Sequence, residues 1–150
     1  MWEKVSELTD RMKEAARTWA NRKIDELAAD RPQLKVTSSY LKRGLYNWME
    51  REDGRIRSMV DGLMLFVADK DGNINTDVLL DDAAAMFADM EVRHADIAGF
   101  GLDYGQGAVV LNIPRNAIYD LIFGDLGQVK ITTADLLEIK GMMQSTPAVQ

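Results

Sequence analysis

The chain has 150 residues, 47% hydrophobic and 28% charged, and carries a net charge of −6 from 18 Lys/Arg and 24 Asp/Glu. That length and balance predict one folded domain, large enough to withdraw roughly two-thirds of its unfolded surface from water. Cysteine is absent, which excludes disulfides, thiolate nucleophiles and Cys-ligated metals and fits a reducing, cytoplasmic setting.

Residues 3–30 read as one long amphipathic helix. Val5, Leu8, Met12, Ala15, Ala16, Trp19, Ile24, Leu27 and Ala28 recur at three- and four-residue steps, and both charge signs are mixed along the rest. The mixture excludes a secretory leader and a basic membrane-binding helix. At 1.5 Å per residue the helix is roughly 42 Å long, ending at Pro32. Residues 1–31 are therefore set apart as a helix, 32–144 as a compact α+β domain and 145–150 as a loose tail.

"QLKVTSS" (33–39) reads as a linker whose Ser38 or Ser39 caps a helix over about 40–52. Two similar segments follow. "DGRIRSMV" begins at Asp53 and "DGNINTDV" at Asp71, both with Asp-Gly-x-Ile-x-(Ser/Thr). A looser copy is "GQVKITTAD" (127–135). Each predicts a glycine turn of positive φ, a few extended residues and a new capped helix, at about 58–68, 76–90 and 133–143. Ser58 with Asp61, Thr76, and Thr132 with Asp135 are the expected caps. The two Ile residues, Ile56 and Ile74, are expected to pair as a short bridge. The longest apolar run, "GLMLFVA" (62–68), falls far short of the roughly 20 residues of a membrane span.

"ADIAGF" and "AVVLNI" flank "GLDYGQG", a pattern that predicts one hairpin with strands near 94–102 and 108–113. Pro114 fits the first turn of a short helix, with Asn112 as its cap, and Gly124 ends it. The fold class is thus α+β: a mostly helical single domain with a long N-terminal amphipathic helix, a central β-hairpin and short helix–Gly-turn–helix units.

Several places hold chemistry-bearing residues. "ADKDGNINTD" (68–77) alternates Asp69, Asp71, Asn73 and Asn75 around Gly72, like the middle of an EF-hand loop. With Gly72 at the sixth position, Val67 and Val78 occupy the first and twelfth, so the first ligand and the bidentate acid are missing. The sister segment places Arg51, Arg55 and Arg57 where cation ligands would stand. The reading is a turn, with no metal and no cofactor. "GFGLDYGQG" (99–107) fails the dinucleotide fingerprint, since Tyr104 stands where the third glycine belongs and a strand follows. His94, the lone histidine, shares a strand face with Asp96; the pair could orient an acid–base imidazole or simply hydrogen-bond at the surface.

Two surfaces compete for function. Lys42, Arg43, Arg51, Arg55 and Arg57, with Tyr40, Tyr46 and Trp48, form a basic–aromatic segment (35–57) suited to nucleic acid. Residues 1–75 hold 14 Lys/Arg and 13 Asp/Glu, while residues 76–150 hold 4 and 11, so a nucleic-acid contact belongs to the first half. The long helix offers the other surface. Its outer residues Trp2, Val5, Leu8 and Met12 lie farthest from Pro32 and are expected to outrun the domain and meet a second chain. The function expected is a non-enzymatic assembly, structural or adaptor protein, a homo-oligomer or bound to a protein partner, with no membrane contact. Its small, acidic, cysteine-free style is common among phage and mobile-element proteins, which would make it virion-associated. A nucleic-acid accessory protein and a small enzyme using His94 and Asp96 are the alternatives.

Overall fold

The structure is a computed structural model that describes residues 2–64, 66–97 and 99–145; of Trp2, Glu3, Leu63, Gln144 and Ser145 it describes the backbone only. Their order is β1 (Trp2–Lys4), α1 (Val5–Ala28), α2 (Pro32–Arg51), α3 (Asp53–Met64), β2 (Asn73–Asn75), α4 (Thr76–Asp89), β3 (Arg93–Ile97), β4 (Phe100–Gly105), β5 (Ala108–Asn112), α5 (Ala117–Phe123), β6 (Gln128–Thr132) and α6 (Thr133–Ser145). The class is α+β and mostly helical, as the periodicity predicts. No helix among the described residues is long and apolar enough to cross a membrane.

Helix α1 is the spine, packing against α2, α3 and α6. It serves two small cores rather than one. The first is built on Leu8, Ala15, Ile74 and Met143, with Val5, Met12, Met64, Leu79, Leu80 and Ile139 around them. The second is built on Ala28, Leu34, Ile113 and Leu126, with Leu41, Phe100, Tyr119, Phe123 and Val129 around them. Leu8 and Ala28 are twenty residues apart, so the two cores sit about 30 Å apart along one helix. Phe100 meets the rings of Tyr119 and Phe123 edge-on at 5.3 and 6.4 Å, the geometry their quadrupoles favour.

The helical units differ from expectation in three places. Residues 33–39 are helix, not linker: Pro32 occupies the first turn of α2, where its missing N–H costs nothing. Ser38 and Ser39 lie inside α2 and cap nothing; the Ser38 hydroxyl donates to the Lys35 carbonyl oxygen at 3.3 Å. Gly54 is helical too, as are Ser58 and Asp61, so the first Asp-Gly-x-Ile segment is no turn. Asp53 opens α3 and accepts from Arg57 Nε one turn later at 2.8 Å, which draws the segment into helix. Ile56 therefore makes no bridge with Ile74. The second segment does turn, at Gly72 with φ 78°. Ile74 lies in β2, opposite Glu3 of β1. Asn75, one residue before Thr76, caps α4 by accepting from the Val78 N–H at 3.4 Å. The Thr132–Asp135 cap forms as read: Asp135 Oδ2 accepts from the Thr132 N–H and hydroxyl at 2.9 and 3.1 Å.

In place of one hairpin there is an antiparallel meander in the order β3-β4-β5-β6. The first expected strand is broken near Gly99, φ 86°, so that Ile97 pairs with Phe100. "GLDYG" is itself strand. The true β4–β5 turn is only Gln106-Gly107, with φ 49° and 75°, the left-handed pair of a type I′ hairpin. Residues 128–132 are an outer strand of the sheet. Asn116, not Asn112, caps α5, accepting from the Ile118 and Tyr119 N–H groups at 3.1 and 3.0 Å. Gly124 ends that helix with φ 64°.

Candidate functional site

Of the stripe read as free for a partner, Val5, Leu8 and Met12 are packed against the chain itself. Leu8 is 0% exposed, and Val5 and Met12 pack beside it under Ile74 and Met143. The expectation assumed that the domain lay near Pro32. Instead β1 pairs with β2, and α6 returns along α1, so both bring apolar cover to the outer end. Trp2 belongs to β1, opposite Asn75, and its side chain lies outside the described atoms.

The 69–75 loop is closed by its own backbone. Asp69 Oδ1 accepts from the Asp71 and Asn73 N–H groups, both at 2.9 Å, and the Asp69 N–H donates to the Asn73 carbonyl oxygen at 2.9 Å. Asp69 is thus spent on holding the turn. No cluster of His, Cys, Asp and Glu suited to a metal ion occurs among the described residues.

His94 sits on the polar face of the sheet. Its Nδ1 donates to Asp103 Oδ1 at 2.7 Å, and its Nε2 lies 3.2 Å from Asp96 Oδ1. Asn112 Nδ2 donates to the other Asp103 oxygen at 3.0 Å. The strand register makes this network: Asp103 stands opposite His94, and Gly101 opposite both Asp96 and Asn112. The sequence pairing of His94 with Asp96 is present, but Asp103 is the nearer partner, and only cross-strand register reveals it. The Asp103 hydrogen bond, with help from Asp96, raises the His94 pKa; the same bond holds the Asp103 carboxyl below its usual range.

The basic segment is divided by its ion pairs. Lys42 meets Asp25 at 2.6 Å, Arg55 meets Glu52 at 3.2 Å, and Arg57 is held by Asp10 and Asp53. Lys13 joins Asp53 at 2.5 Å and Glu50 at 3.5 Å. Hydrogen bonds from Lys13 and Arg57 lower the Asp53 pKa, and the Asp10 and Asp53 carboxylates raise that of Arg57. This network ties α1, α2 and α3 together beside a cleft of about 360 Å³ lined by Lys13, Arg17, Tyr46 and Glu50. In that cleft the Arg17 guanidinium lies 5.2 Å from the Tyr46 ring centre. Arg43 and Arg51 remain exposed, without an ion pair among the described residues.

Sequence reasoning missed the apolar surface. On α2, Val36 and Tyr40 are 75% and 72% exposed; on α5, Ile118 and Leu121 are 70% and 75% exposed. Thr37 Oγ1 donates to the Ile122 carbonyl oxygen at 3.2 Å, and α5 packs along α2. Reading 33–39 as a linker hid Val36. On α4 a second face is open: Val78 and Met86 are exposed, with Asp82 and Asp89 between and beyond them. Here the signal was in the sequence, since nine of the fourteen α4 residues are apolar and they surround the helix. Neither a protein-family model, nor a curated protein sequence, nor a solved structure matches the chain.

Proposed function

We propose that this protein is a non-enzymatic assembly or adaptor component that works through protein–protein surfaces. The observation that carries the reading is the open apolar surface on α2 and α5 (Val36, Tyr40, Ile118, Leu121) together with the open face of α4. Scattered exposed hydrophobics are ordinary, but grouped ones on packed helices mark contact sites. The N-terminal stripe has no part in this reading, because the chain covers it. Light scattering across a concentration series tests it: a molar mass above the 16.8 kDa of one chain, or a stoichiometric partner bound through α2 or α4, is expected. A monomer that binds no partner through either face would overturn it.

A second reading has its own support. Arg43 and Arg51 lack intramolecular carboxylates among the described residues, and Tyr40 and Trp48 are exposed on the same helix. Such a stripe suits single-stranded nucleic acid, with the cations on phosphates and the rings on bases. Salt-dependent binding of a labelled oligonucleotide, lost in Arg43→Gln/Arg51→Gln, is its test.

A further inference from the structure

The open faces of α2 and α4 differ in charge in a way that points to each other. On α2, Val36, Tyr40, Arg43, Asn47 and Arg51 follow one another at steps of four, three, four and four, and all are exposed. On α4, Val78, Asp82, Ala85, Met86 and Asp89 do the same at steps of four, three, one and three. One face is apolar and basic; the other is apolar and acidic. Arg43, Arg51, Asp82 and Asp89 have no ion pair among the described residues.

We propose that this chain assembles head to tail, with the α2 face of one copy packing on the α4 face of the next; the proposal rests on the assembly reading above and names its partner. The spacings agree. At 1.5 Å per residue Arg43 and Arg51 are about 12 Å apart along α2, and Asp82 and Asp89 about 10.5 Å apart along α4. A parallel register that joins Arg43 to Asp82 and Arg51 to Asp89 also sets Val78 within about one residue of Tyr40 and Met86 level with Asn47. Symmetric alternatives are opposed by charge. An α4–α4 contact brings Asp82 and Asp89 against their own copies, and an α2–α2 contact does the same with Arg43 and Arg51. A chain of net charge −6 also repels its copies unless a basic face meets an acidic one. The two faces are different patches, so a copy that buries only one of them keeps the other free. Association then continues into a ring or a filament, unless a twofold pairing buries both faces of each copy at once and closes a dimer.

Charge-swap complementation tests this. Arg43→Glu/Arg51→Glu and Asp82→Lys/Asp89→Lys are made separately, and sedimentation velocity is measured for each, for their equimolar mixture and for the fourfold variant. All four positions are exposed, so both double variants should keep the parent melting temperature. Each alone should associate at least roughly tenfold more weakly than the parent, since like charges then meet across the contact. The mixture and the fourfold variant should both regain association. Should a charge-reversed variant misfold, Arg43→Gln/Arg51→Gln and Asp82→Asn/Asp89→Asn serve in its place; a partial loss in each supports the contact, and no loss in either overturns it. Oligomers that survive both swaps, or a mixture that fails to recover, would overturn the α2–α4 contact while leaving the assembly reading intact. A parent chain monomeric at every concentration would remove self-assembly altogether. Loss of oligonucleotide binding in Arg43→Glu/Arg51→Glu with no change in molar mass would assign the α2 face to nucleic acid instead.

Discussion

Replacing Leu8 by Ala separates a core role for the outer end of α1 from an interface role. Leu8 is completely buried at the centre of the first core, against Ala15, Ile74 and Met143, with Val5, Met12, Met64, Leu79 and Leu80 around it. Leu-to-Ala changes in such sites cost about 2–5 kcal/mol, the spread reflecting how far neighbours relax into the void. Three of these neighbours are methionines, which bend into gaps more readily than branched side chains, so about 3 kcal/mol is expected. For a domain of this size each kcal/mol lowers the melting temperature by about 2–4 °C. Leu8→Ala should therefore melt about 6–12 °C lower by far-ultraviolet circular dichroism, with the urea m-value unchanged. Deleting residues 1–10 removes β1, Val5 and Leu8 together and should abolish the cooperative transition. An unchanged melting curve with a lower molar mass in solution would refute the core assignment and return this stripe to an interface.

The glycines make a matched pair. Gly105 has φ 141°, and a Cβ there would lie 2.5 Å from the Glu91 carbonyl oxygen, so Gly105→Ala should destabilise by at least about 1–3 kcal/mol. Gly54 is helical and open, so Gly54→Ala should stabilise by about 0.5–1 kcal/mol in urea titration; a loss at Gly54 would show the segment is a turn after all. For His94, the raised pKa means that its contribution is complete below the ordinary value of 6.5 and is lost as pH rises through the folded value. Asp103, lowered from 3.8, contributes above that value and loses its contribution as pH falls through the folded one, so the pair is strongest between about pH 4 and 6.5. Asp103→Asn should bring the His94 midpoint in an NMR titration back toward 6.5, and an unmoved midpoint would mean the bond is not made. Millimolar Ca²⁺ should leave the melting temperature unchanged, because Asp69 is engaged by the Asp71 and Asn73 N–H groups; a rise abolished by Asp71→Ala would contradict this.

What the residues determine by themselves is local. The three- and four-residue spacing from Val5 to Ala28 specifies α1 and its buried face, because a helix of period 3.6 puts those side chains in one line. Gly72 and Gly124 mark real turns, and Thr132–Asp135 a real cap, because each is settled by atoms within four residues. Gly54 shows where this stops. The same Asp-Gly-x-Ile letters become helix at 53–56 and a turn and strand at 71–74. Lys13 and Arg57 hold Asp53 at the start of α3, whereas β1 arrives to pair with Ile74. The four-stranded sheet was half-written, since Val129 and Ile131 alternate with Gln128 and Lys130 as a strand should, but pairing with β5 made it one. The cover over Leu8 comes from residues 74 and 143, and the Asp103 partner of His94 comes from register. Contacts between residues remote in sequence depend on how the chain returns, and that return is decided only when all the apolar faces compete for the same cover.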